Sequence, residues 1–306
     1  MLETRQIHPT LAREVVGLSL WQTLDDATVA ELRDLYAQYG VLVFRRQALS
    51  EAEFAAFCTL FGPLERTVRS DWASPTTPEV TVLSNLKDGL GRPIGGLGDG
   101  ELQWHSDQSY MMKPATGAAL CALELPAAGG ETFWVDLRAA YAKMPRQLRT
   151  QIAGKRAIFD YAKRLAGYGR ETDRQISDEA RRLTPAVTHA LIRAHPETGL
   201  GSLYLDSTTT IGIDSMDTTS GLALLDEVYA SATRDEFVYA HQWQVGDLVL
   251  WDNGFTMHRR TPFDPGAPNE TDDDEPRPLP PRHARRQAFP IRGRNADLAI
   301  PPQGGA

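Results

Sequence analysis

The stretch Gly246-Asp247-Leu248-Val249-Leu250-Trp251-Asp252-Asn253-Gly254-Phe255-Thr256-Met257-His258 decides how the chain is read. It is a turn, a short apolar run and a second turn that delivers a histidine at the strand's far end. A run of this length, rich in aliphatic and aromatic residues and bounded by glycines, predicts a β-strand. Similar runs crowd the chain from Trp104 onward: Thr116 to Leu125, Thr132 to Val135, Arg156 to Tyr161, Ala186 to Ala194, Ser202 to Asp206 and Glu236 to Trp243. Many short strands separated by turn signals imply a sandwich or a barrel. The predicted class is mainly β with helical decoration.

Helical signals lie mostly upstream. Val29, Leu32, Leu35 and Tyr39 share one helical face, with Asp25 and Asp26 as caps and Gly40 as the stop, and Val41-Leu42-Val43-Phe44 follows as a strand. Ser50 and Glu53 form a capping-box pattern ahead of Phe54, Phe57 and Phe61, the core face of a second helix ending at Gly62. Glu79 to Leu86 predicts another strand, after which six glycines and Pro93 between Gly89 and Gly100 break regular structure into a mobile loop. That loop has no lysine and no Lys-Ser/Thr pair behind it, so it is not read as a phosphate cradle.

Two further helices are expected, around Ser177 to Leu183 and through Leu222, Leu225 and Val228/Tyr229, the latter capped by Ser220. No internal repeat is visible. The chain is expected to form a single domain over 1–306, with a lid or surface insertion at 163–185. An acidic, Pro-rich flexible insertion is expected at 264–281 and a flexible tail at 294–306.

Composition excludes whole classes of function. Of 306 residues, 42% are hydrophobic and 24% charged, and no apolar run approaches the length of a membrane span. The net charge of −8 opposes binding to nucleic acid or an anionic membrane. Cys58 and Cys121 are too few for a disulfide framework and read as reduced core residues. The opening residues carry no apolar leader pattern, so the expected location is cytoplasmic. The expected partner is a small molecule, and a homo-oligomer is left open.

Chemistry concentrates at Trp104-His105-Ser106-Asp107. On a strand, residues two apart share a face, so an imidazole and a carboxylate could reach one ion. Seven His and 23 Asp in 306 residues give such a pair about half a time by chance, so it needs a partner. His258, carried back by a sandwich, supplies one. Two histidines and one carboxylate on one face of an octahedral ion leave three positions open, which suits non-haem Fe(II) enzymes that bind a cosubstrate and dioxygen together.

Those residues carry a resemblance. The runs Trp104 to Asp107, Leu125-Pro126-Ala127-Ala128-Gly129-Gly130-Glu131-Thr132, His195-Pro196-Glu197-Thr198-Gly199 and Gly246 to His258 resemble, in order and spacing, the taurine dioxygenase and dichlorophenoxyacetate dioxygenase family. The match extends from about Leu11 to Gly293. It implies a double-stranded β-helix (jelly-roll) core and Fe(II) held by His105, Asp107 and His258. It also implies oxidative decarboxylation of 2-oxoglutarate with O2, coupled to hydroxylation of a substrate and releasing succinate and CO2. A carboxylate at Asp107 fills the site that related halogenases leave to halide, which argues against halogenation.

The same resemblance assigns Thr132 and an arginine beyond His258 to 2-oxoglutarate. The acidic insertion breaks the usual spacing, and Arg282-His283-Ala284-Arg285-Arg286 then matches the Arg-x-x-x-Arg run. Arg282 is assigned to the cosubstrate, with Arg285 as the alternative register, and Arg286 to the substrate or the second carboxylate. A guanidinium suits this because its fork binds a carboxylate bidentately and stays charged. The substrate is therefore expected to be small and anionic.

Other residues receive plainer readings. His189, His195 and His241 read as packing or hydrogen-bonded histidines, Trp251 as core, and Asp252 as orienting a ligand or a turn. Trp72, Asn85, Tyr110 and Phe159 divide evenly between pocket and ordinary core or loop roles. Two other functions stay open: a Zn(II) hydrolase on the same triad, which needs neither Thr132 nor Arg282, and a non-catalytic β-sandwich that binds a small acid.

Overall fold

The computed structural model describes residues 1–96, 101–169, 171–263 and the strand Arg285–Ala288. The 264–281 insertion, Arg282 and the 294–306 tail lie outside the described residues.

Two facing sheets form a double-stranded β-helix. The larger has seven strands in the order Thr4–Gln6, Ala12–Val15, Val41–Phe44, Leu248–Asp252, Gly117–Cys121, Arg285–Ala288 and Val80–Leu83. The smaller has four, in the order Val238–His241, Thr132–Asp136, Thr256–Arg260 and Leu102–His105. The run quoted first thus spans two strands in different sheets. Leu248–Asp252 is central to the large sheet, and His258 lies in the middle of the next strand rather than at the far end of the first.

Alternation explains why these strands read as continuous apolar runs. Leu248 and Leu250 face the helices Asp26–Tyr39 and Glu51–Thr59, packing with Leu32, Phe54 and Phe57, while Val249 and Trp251 face the small sheet. Both faces are covered, so the four positions from Leu248 to Trp251 are all apolar. Each buried Val, Leu or Phe side chain contributes about 1.5–3 kcal/mol. Trp251 of the large sheet meets Trp134 of the small one, ring centroids 5.6 Å apart. Behind the small sheet, Val135 and Met257 pack into a second core with Leu137 and with Leu225 and Val228 of the helix Thr218–Ala232.

The local signals hold. Asp25 caps the first helix by accepting from the Thr28 N–H, and Gly40 ends it at φ 70°, a left-handed turn where a Cβ would stand 2.2 Å from the Phe255 ring. Ser50 and Glu53 form the full capping box. Phe54 and Phe57 are core, whereas Phe61 is only partly buried. Cys58 and Cys121 are free and buried.

Some readings need correction. The helix Thr218–Ala232 is capped by Asp217, which accepts from the Ser220 N–H, so Ser220 lies inside the first turn. The strand expected over 79–86 is shorter, Val80–Leu83. Arg285–Ala288 pairs with Val80–Leu83 and Gly117–Cys121, a strand the sequence does not announce. Between 161 and 183 the chain forms three short helices, Tyr161–Gly167, Glu171–Arg174 and Asp178–Leu183. Among the described residues no helix is long and apolar enough to cross a membrane.

Candidate active site

His105 ends the strand Leu102–His105, and His258 sits directly opposite it in antiparallel register. Opposite residues of an antiparallel pair point to the same face, here the space between the sheets. There the His258 ring lies near-parallel to Trp134 and packs against Trp251, at centroid distances of 6.3 and 4.9 Å. His105 Nδ1 lies 2.7 Å from the Gln103 carbonyl, which accepts its proton and leaves the Nε2 lone pair free.

Asp107 reaches the same place by a different route from the one expected. It is not on the strand with His105 but in the turn beyond, where Gln108 adopts φ 52°. Asn253 secures that turn. Its side-chain oxygen accepts from the Asp107 N–H at 3.4 Å and from Trp251 Nε1 at 3.1 Å, and its carbonyl accepts from Ser106 Oγ at 3.1 Å. Asp107 Oδ1 then stands 4.0 Å from His105 Nε2 and 3.8 Å from His258 Nε2.

All three side chains are buried, and their liganding atoms lie within 4.8 Å of one another. Burial pushes the His105 imidazole down to about 3, aided by the charge of Arg164. Burial, then His105, then Arg164 hold His258 well below its ordinary value. The Asp107 carboxyl is pushed up to about 7 by burial, against the pull of Arg164. Asp107 Oδ2 is buried with no hydrogen-bond partner. Two neutral nitrogen donors and a carboxylate with one unpaired oxygen, converging in a buried site, fit a divalent first-row metal. Among the described residues no other cluster of His, Cys, Asp or Glu has this property.

Thr132 opens an inner strand of the small sheet after a turn in which Gly129 and Gly130 are both left-handed, at φ 78° and 75°. It is buried, and Trp243 Nε1 donates to its Oγ1 at 3.0 Å, which leaves the hydroxyl proton to serve another acceptor. Arg260 is its register partner. Arg285 and Arg286 lie on the strand Arg285–Ala288, with Arg286 paired to Val82 and Cys121 by backbone register.

The plainly read histidines have protein partners. His189 Nε2 meets the Met111 carbonyl, His195 Nε2 meets Asp252, and His241 bridges Tyr239 and Asp247. Asp252 thus orients His195 and also accepts from the Gly254 N–H, behind the strand that precedes His258. Tyr110 and Trp72 gather in one aromatic cluster, Phe159 is core, and Asn85 is a half-buried loop residue. The sequence reading missed Asn253 and Arg164. Asn253 stands inside the stretch quoted first, but no local pattern shows that its side chain meets residue 107; Arg164 had no signal beyond its charge.

The model of the family described as "Taurine catabolism dioxygenase TauD, TfdA family" matches residues 3–272. The alpha-ketoglutarate-dependent 2,4-dichlorophenoxyacetate dioxygenase of Cupriavidus pinatubonensis is 34% identical over 278 residues, covering 86% of this chain and 93% of that protein. Pentalenolactone F synthase of Streptomyces avermitilis is 32% identical over 266 residues, covering 82% and 86%. The crystal structure of AAD-2 in complex with Mn(II) and N-oxalylglycine superposes with a TM-score of 0.75 at 27% identity, over 97% of this chain and all of that one. With sequence motifs, fold and a His-Asp-His cluster in agreement, the chain belongs to the TauD/TfdA dioxygenase family.

Proposed function

We propose that this protein is an Fe(II)- and 2-oxoglutarate-dependent oxygenase that hydroxylates a C–H bond of a small anionic substrate. His105, Asp107 and His258 hold the metal. The observation that carries the reading is the convergence, within 4.8 Å, of two neutral imidazoles and a buried carboxylate whose Oδ2 has no hydrogen-bond partner.

When bound, the metal and its cosubstrate supply dioxygen activation coupled to decarboxylation of 2-oxoglutarate to succinate. The chain supplies the frame. His105 and His258 bring neutral donors that need no deprotonation, and Asp107 neutralises one charge of the dication. Thr132 offers its hydroxyl proton to the distal carboxylate of 2-oxoglutarate, its oxygen being already engaged by Trp243. Arg282 supplies the charge for that carboxylate, and Arg286 serves the substrate or the second carboxylate. Trp134 and Trp251 wall the centre and exclude water. The Cupriavidus relative named above is described as alpha-ketoglutarate-dependent and as acting on 2,4-dichlorophenoxyacetate, which supports an anionic substrate and disfavours the hydrolase alternative.

Mixing Fe(II) and 2-oxoglutarate with the protein under anaerobic conditions tests this. A weak visible charge-transfer band, lost in Asp107→Ala, is expected, together with succinate release in air across a panel of carboxylates and sulfonates. A protein that binds Fe(II) but gives neither band nor succinate contradicts the reading.

A further inference from the structure

His105 and Asp107 stand in a stretch of chain that one distant segment grips at both ends. At the near end, the Ser207 N–H and Ser207 Oγ both donate to the Trp104 carbonyl, at 2.9 and 2.7 Å, one residue before His105. At the far end, Ser109 Oγ, two residues beyond Asp107, donates to Asp206 Oδ2 at 2.5 Å and lies 2.8 Å from Thr209 Oγ1. Because the Ser109 proton is committed to Asp206, Thr209 supplies the proton of that second bond. Ser109, Asp206 and Thr209 are all fully buried.

The two oxygens of Asp206 have different partners. Oδ1 serves its own turn, accepting from the Thr208 N–H and Oγ1 at 2.7 Å each and from the Thr209 N–H at 3.2 Å. Oδ2 reaches across to Ser109. A turn of this kind needs one side-chain oxygen, which asparagine also supplies, and a carboxylate withdrawn from water is costly to keep. Ser109 accounts for the second oxygen. The segment is itself anchored away from the site: the Asp160 N–H donates to the Thr209 carbonyl at 2.8 Å, and the Asp206 N–H donates to Tyr229 Oη, on the helix Thr218–Ala232, at 3.2 Å. Thr210 then opens an edge strand, Thr210–Ile213, of a three-stranded sheet completed by Arg156–Phe159 and Val187–Ala190.

We infer that Asp206 is a positioning residue of the metal centre, holding through Ser109 the turn that carries Asp107. It acts through that turn rather than on the ion. Asn253, just past the central strand of the large sheet, holds Ser106 and Asp107; Asp206 holds the same turn two residues further on, from a different sheet. The carboxylate at 107 has no strand of its own to fix it, so its place beside the two imidazoles depends on these ties, and a ligand left loose binds its metal weakly. The inference rests on the metal-binding reading of His105, Asp107 and His258 given above.

Mn(II) alone is the probe, titrated into the full chain at pH 8 with free Mn(II) read by electron paramagnetic resonance and with denaturation midpoints of the metal-free variants measured alongside. Ser109→Ala and Asp206→Asn should each raise the Mn(II) dissociation constant about 10- to 100-fold. The double variant should bind no more weakly than the weaker single one, because the two substitutions cut one link. Thr208→Val removes a hydrogen bond from the other carboxylate oxygen; it should lower the midpoint much as Ser109→Ala does and leave the Mn(II) affinity unchanged. Unchanged affinity in Ser109→Ala, losses that multiply in the double variant, or an equal loss in Thr208→Val overturns the inference while the metal reading stands. Should Asp206→Asn fail to fold, Ser109→Ala, which leaves Asp206 its three bonds from Thr208 and Thr209, decides the matter with Thr208→Val as control. Wild type that does not bind Mn(II) removes the metal reading and the inference together.

Discussion

The imidazoles of His105 and His258, 153 positions apart in the chain, lie with ring centroids 4.0 Å apart across a single antiparallel register pair. Because side chains alternate faces along a strand, a one-residue slip would turn one ring out of the site. The register is therefore part of the chemistry. It also bears on the low basicity of His258, for which His105 is the leading electrostatic influence after burial.

Metal affinity should depend on pH through Asp107. Its carboxyl titrates near 7 in the metal-free fold, raised from the usual range by burial, while His105, held near 3 by burial, is already neutral above pH 5. Metal binding below pH 7 therefore displaces about one proton, and the Mn(II) association constant should rise about tenfold per pH unit up to 7 and then level. Electron paramagnetic resonance titrations of free Mn(II) from pH 5.5 to 8.5 read this directly. A flat profile contradicts the buried-carboxyl account.

The same shift has a stability consequence. A folded-state value above the unfolded one gives a contribution present below about pH 4 and lost as pH rises through 7, so the metal-free protein carries the charged Asp107 as a burden at pH 8. A bound dication removes that burden. The rise in melting temperature on adding Mn(II) should be larger at pH 8 than at pH 5, measurable by scanning calorimetry.

Asn253→Ala should loosen the centre without touching a ligand. It leaves the Asp107 N–H and Trp251 Nε1 without their acceptor in a buried setting. Stability should fall by about 1–3 kcal/mol, and metal affinity by about 10- to 100-fold. Chemical denaturation and Mn(II) titration give the two numbers.

Thr132→Val and Thr132→Ser separate shape from hydrogen bonding. The valine keeps the volume but loses the hydroxyl that sits under Trp243 Nε1. The KM for 2-oxoglutarate should rise about tenfold in the valine variant and change little in the serine variant, with iron binding unaltered in both. Arg282→Ala should likewise raise that KM, and an unchanged KM transfers the role to Arg285.

Asp247 should matter for folding rather than chemistry. The Asp247 side chain is fully buried, and its Oδ2 accepts from Arg45, His241 and the Gln244 N–H. Asp247→Ala strands those donors and should destabilise the protein by about 3–5 kcal/mol, read from the denaturation midpoint.

Much of the molecule is legible residue by residue. The capping box at Ser50 and Glu53, the left-handed stop at Gly40 and the apolar runs at Val41 and Leu248 are recorded within a few positions, because torsional preference, capping and side-chain alternation act over that range. The local motifs mark His105, Asp107 and His258 as candidates, and the family resemblance joins them into a triad. Everything that makes it a site came from packing. The turn that swings Asp107 off its expected strand, Asn253 holding that turn, the pairing of His105 with His258 and the arrival of Arg164 from a separate helix depend on contacts between distant segments. Burial and register, which set the ionisation of these groups and where they point, arise only when the two sheets close on each other, so no stretch of the chain records them.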